Sequence, residues 1–162
     1  MSIEEKSQDQ LRYHELMVEA KARLLAINTV TDNLRGIPSQ IIREFGILQI
    51  RMLCEIIGLA CLVAHGDLID QVPGNLRKEY KPGQIFDALG NLHDDFFPVP
   101  GTLKKTEIGW HLDHWEGGPF ATKEELATIW AGSGDFLHRG SLKNLIKAKC
   151  NGPINLRTRS PT

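Results

Sequence analysis

Cysteine is scarce in this chain: there are three in 162 residues, Cys54, Cys61 and Cys150. Seven positions separate the first two, about 10 Å along a helix axis, which is beyond the roughly 7 Å that a disulfide spans between Cα atoms. An odd count with no legible secretory signal leads to the expectation of a reducing, cytoplasmic compartment. Cys54 and Cys61 then serve as small apolar packing groups. Net charge is nearly absent too, at −1, so no whole-molecule field draws the protein toward nucleic acid or an acidic membrane. Chemistry-bearing loops are missing as well. Gly132-Ser133-Gly134 follows a helical stretch and has no lysine partner, so it is not a phosphate loop, and no nucleophile elbow occurs. Ser133 and Ser141 lie near His138 in sequence without forming a known pattern. There is no internal repeat.

The charge that is present is unevenly spread. After Asp135 no acidic residue follows, while Arg139, Lys143, Lys147, Lys149, Arg157 and Arg159 do. Residues 1–150 read as a single helical domain and residues 151–162 as a basic, disordered tail. Such a segment serves solubility, or gives nucleic acid a place to bind.

Apolar periodicity specifies an all-α fold. From Gln8 to Leu34, Tyr13, Leu16, Ala20, Leu24, Ile27 and Leu34 recur at helical spacing, opposite a charged face of Arg12, Glu15, Glu19, Lys21 and Arg23. Gly36 and Pro38 then mark a stop and a new start. A second helix runs from Ser39 to His65. Ile41, Phe45, Leu48 and Met52 form one apolar line on it, and Leu53, Ile57, Ala60 and Ala64 form another. The fold expected is a helical bundle around this long central helix. Ile47 to Ala64 approaches a membrane-spanning length. Gln49, Arg51 and Glu55 interrupt it, and each charge would cost about 2.5–3.5 kcal/mol at a bilayer centre. A buried core helix with no membrane is therefore expected.

Beyond it, 67–81 reads as a connector and Gln84 to His93 as a short helix closed by the proline-rich run Phe96 to Gly101. Residues 98–120 read as an irregular aromatic loop or small hairpin. Thr122 and Glu125 form a capping box for a helix through Leu126, Ile129 and Trp130 that Gly132-Ser133-Gly134 interrupts. Ser141 caps a last helix, Leu142 to Lys149.

Three constellations could carry function. Arg51 and Glu55 stand four apart on one helix face, with Glu44 on roughly the same line. Charges on so apolar a helix call for pairing, which makes them a structural ion pair or a polar site between helices. The stretches Leu48-Gln49-Ile50-Arg51-Met52-Leu53-Cys54-Glu55 and Phe136-Leu137-His138-Arg139-Gly140 resemble the HEPN-like helical domains of bacterial and phage conflict systems. The resemblance covers about 100 residues and implies a long helical hairpin with Arg51, Glu55, His138 and Arg139 near one site. It also implies a defence setting. The HEPN ribonuclease signature, an Arg followed by His after four to six residues, is absent here, so the resemblance points to a binding member before a nuclease.

His93-Asp94 resembles the metal-binding step of HD phosphohydrolases, with His65 and Asp135 available as outer ligands for a hard divalent ion. As an ordinary polar helix end, His93-Asp94 needs no metal, and no cofactor is expected. His111 and His114 lie between Trp110 and Trp115. They read as an aromatic surface loop, as a chelating pair if helical, or as a contact surface for a protein partner. Apolar demand on two sides of the central helix, with Trp110 and Trp115 in addition, leads to the expectation of association through the helical surface, with a second copy or another protein.

Overall fold

A computed structural model describes residues 3–32, 36–66 and 76–137. Among them are four α-helices: α1 (Ile3–Asp32), α2 (Ser39–Ala64), α3 (Pro82–Gly90) and α4 (Lys123–Leu137). A 3-10 turn spans Leu76–Lys78, and two strands, β1 (Gly101–Thr106) and β2 (Gly109–His114), complete the set. The fold is mainly helical with one small antiparallel sheet.

α1 and α2 form a long hairpin. Midway along it, Arg23 Nη1 donates to Gln49 Oε1 at 2.9 Å. At its far end Asp9 comes up against Gly66. The face of α1 turned toward α2 is Leu16, Ala20, Arg23 and Ile27, all partly buried, while Tyr13 and Leu24 are exposed. Arg23, read from the sequence as solvated, is thus drawn inward by buried Gln49 while it also holds Glu19 on its own helix. That pairing rotates the buried stripe away from Tyr13 and Leu24. Leu34 lies outside the described residues.

The core gathers around the C-terminal half of α2. Cys54, Cys61 and Leu62 meet Leu76, Ile85, Phe86, Leu89, Phe96 and Leu126. Phe86, Phe96 and Phe97 meet edge-on or tilted, with centroids 5.4–6.2 Å apart, a geometry that aligns ring edges with ring faces. Gly58 permits a close approach here: a Cβ on it would come within 3.4 Å of Pro82 Cα. α3 begins at Pro82, whose missing N–H costs nothing in a first turn. Burial of the C-terminal half of α2 matches its all-round apolar sequence. The N-terminal half departs from that expectation, since Ile41, Leu48 and Ile50 face outward.

α4 opens on the anticipated capping box. The Thr122 N–H donates to Glu125 Oε2 at 2.9 Å and the Glu125 N–H to Thr122 Oγ1 at 3.2 Å. It does not stop at Gly132-Ser133-Gly134 but continues to Leu137. Two glycines cost about 1 kcal/mol each in a helix interior. Burial of Leu126 and Ser133, with Trp130 packed on the core, offsets that cost.

Residues 101–114 settle the hairpin-or-loop alternative as a hairpin. A two-residue turn, Glu107-Ile108, joins strands whose register runs from Gly101↔His114 to Thr106↔Gly109. Gly109 adopts φ +139°, which only glycine takes readily, and Thr106 Oγ1 donates to its carbonyl at 2.8 Å. Among the described residues, the hairpin makes no extended packing contact with any helix.

Candidate functional site

Arg51 and Glu55 form their pair, Nε to Oε1 at 3.4 Å, between α2 and α4 with both side chains mostly buried. Arg51 Nη1 donates to the Trp130 carbonyl at 3.0 Å and to Ser133 Oγ at 3.2 Å. Its guanidinium lies 4.0 Å from the centre of the Trp130 ring, within cation–π range. Trp130 Nε1 donates to Glu55 Oε1 at 2.7 Å, Ser133 Oγ donates to the Trp130 carbonyl at 2.6 Å, and Tyr80 sits edge-on to the indole. Each polar group therefore already has a partner inside the cluster. Among the described residues, no buried side-chain nitrogen or oxygen lacks a hydrogen bond. The chemistry of such a set is that of a clamp joining two helices. His138 and Arg139 lie outside the described residues.

The residues of the metal alternative lie on separate elements: His65 ends α2, His93 and Asp94 follow α3, and Asp135 is on α4. His65 Nδ1 donates to the Cys61 carbonyl at 2.8 Å, and His93 Nδ1 accepts the Asp95 N–H at 3.1 Å. The two rings are 5.7 Å apart. Among the described residues, however, no three His, Cys, Asp or Glu side chains are placed to hold a metal ion. His93 and Asp94 are exposed in the turn after α3, where one His93 nitrogen is committed to the backbone, and Asp135 is exposed on α4. His111 and His114 fall three apart on β2, hence on opposite faces of the ribbon.

What the structure does offer is uncovered apolar surface. On α2, Ile41 is 52% and Leu48 42% exposed, with Phe45 and Met52 on the same line partly buried. On the hairpin, alternation places Leu103, Trp110 and Leu112 on one face, and they are 60%, 67% and 67% exposed. Trp115 follows in the next loop, where its Nε1 donates to the Gly118 carbonyl at 2.8 Å. The other hairpin face is polar. Lys104 Nζ reaches Asp113 at 2.7 Å and His111 Nε2 reaches it at 3.1 Å. The lysine hydrogen bond holds the Asp113 carboxyl below the usual carboxylate range.

No family model, curated protein or solved structure matches the chain. Function must therefore be read from the molecule's own surfaces.

Sequence reasoning found Arg51 and Glu55 but missed Trp130, Ser133 and Tyr80. Trp130 was legible as an apolar helix position and carried no sign that its indole would bridge back 75 residues. α2 is also long and apolar enough, by length and composition alone, to cross a membrane. Arg51 and Glu55 at its middle are held by α4, as in a core helix.

Proposed function

We propose that the chain is a non-enzymatic, cytoplasmic protein-association module that pairs with a second copy through the N-terminal half of α2. One observation carries this reading: Ile41, Phe45, Leu48 and Met52 recur at steps of four, three and four, on a face that the described residues leave only partly covered. That spacing is the seam of helix-on-helix packing. Two α1–α2 hairpins joined along it make a four-helix bundle of ordinary type. Leu11, Val18 and Leu25, exposed seven residues apart on α1, add apolar surface to the same hairpin.

The likeness to HEPN-like domains supports a binding role. Arg51, the residue nearest in kind to a catalytic arginine, spends its donors on Trp130, Ser133 and Glu55. Self-association makes thermal stability depend on protein concentration. The melting temperature of the full chain should rise over a hundredfold concentration range, and that rise should be smaller in Leu48→Glu. A concentration-independent melt in the unaltered protein would refute the reading.

A further inference from the structure

The hairpin's two outer edges differ in a way that bears on a second mode of self-pairing. A two-residue turn makes the closing pair Thr106–Gly109 a hydrogen-bonded one, and antiparallel pairs alternate from there. Gly109, His111 and Asp113 therefore spend their backbone groups on β1. Trp110, Leu112 and His114 direct N–H and C=O away from it, along an edge that no other described strand pairs with.

We propose that β2 pairs antiparallel with β2 of a second copy, centred on Leu112, to give a four-stranded sheet. In this register Leu112 meets its own counterpart and Trp110 meets the other copy's His114, so all three outward-directed residues exchange hydrogen bonds. Between them His111 of each copy stands directly opposite Asp113 of the other, a complementary pair made twice. Shifting the register by two in one direction sets Asp113 against Asp113, and in the other sets His111 against His111. Donor–acceptor matching of His111 with Asp113 and backbone hydrogen bonding thus select one alignment. The β1 edge offers no equivalent: its registers bring Lys104 or Lys105 of one copy beside the same residues of the other, or leave Lys104 opposite Thr102 with no acid in reach. Faces are preserved as well, so Leu103, Trp110 and Leu112 of both copies join on one surface, which Lys105 and His114 share. A two-stranded ribbon is marginal alone, whereas a sheet of three or more strands sustains itself.

This pairing is independent of the α2 seam, and its test is made on the full chain carrying Leu48→Glu. Residue-resolved amide exchange by NMR is the readout. The amides of His111 and Asp113 report the hairpin, and those of Trp110, Leu112 and His114 report the outer edge. At high protein concentration the outer-edge amides should exchange at least about tenfold more slowly than at low concentration. His111→Asp, which places acid opposite acid across the edge, should abolish that protection. His111→Asp with Asp113→Lys, which restores opposite charges, should return it. Outer-edge amides that exchange freely at every concentration would overturn the proposal, as would a double variant no better protected than the single one. Loss of the α2 seam alone would leave this protection intact.

Discussion

Arg51 ties α2 to α4 through one side chain. Its guanidinium stacks on Trp130, bonds the backbone of α4 and holds Glu55. Replacing it with Ala removes the counter-charge of the partly buried Glu55 carboxylate, which keeps the Trp130 indole, and takes a donor from the Trp130 carbonyl and Ser133 Oγ. Because the pair keeps some solvent contact, the loss should be about 2–3 kcal/mol, short of the 3–5 kcal/mol of a fully buried pair. Urea unfolding monitored by circular dichroism measures it, and a change within error would mean the clamp contributes nothing. Cys61 gives a pH test. Burial pushes its thiol from the ordinary 9.0 up to about 11, so between those values the folded chain holds a proton that the unfolded chain has released. The stabilising contribution is complete below pH 9.0 and is lost as pH rises toward about 11, at no more than about 1.4 kcal/mol per pH unit. Unfolding free energies of the unaltered chain and Cys61→Ala should therefore converge across that window, and parallel curves would contradict the assignment. The inward pairing of Arg51 and Glu55 was legible in the sequence because charges on an apolar helix demand partners. The identity of the clamp's other half was not, since nothing local in Trp130 or Ser133 encodes a contact more than seventy residues away.

At the scale of elements, local chemistry was most legible where it is self-contained. The Thr122–Glu125 capping box formed as its spacing implies, and Thr122→Ala should cost about 1 kcal/mol by removing an acceptor from the first turn of α4. Thermal denaturation checks this, and Thr122→Ser should restore most of the loss. Proline and glycine punctuation also located the α1–α2 break and the start of α3. The same punctuation misled at Gly132-Ser133-Gly134, where tertiary burial overrode propensity and α4 ran on to Leu137. In α1 the error was one of rotation. Arg23 belongs to the inner face because Gln49 gives it a buried partner, a relation invisible to a reading of α1 alone.

For the whole molecule, the central helix reconciles two halves of one sequence. From Cys54 to Leu62 its apolar residues are covered by α3, α4 and the connector turn at Leu76, while from Ile41 to Met52 one line of them is only partly covered by the described residues. The hydrophobic pattern alone could not separate these halves, since it records how apolar each face is and not which neighbours reach it. Uncovered apolar seams of this kind belong to interfaces, and the account rests on the one formed by Ile41, Phe45, Leu48 and Met52. Multi-angle light scattering of the full chain at micromolar concentration tests it most directly, with Leu48→Glu alongside. The account predicts a mass above that of a single 18.2 kDa chain, reduced in Leu48→Glu while helical circular dichroism is retained. A strictly monomeric unaltered protein, or a mass that Leu48→Glu leaves unchanged, would contradict it.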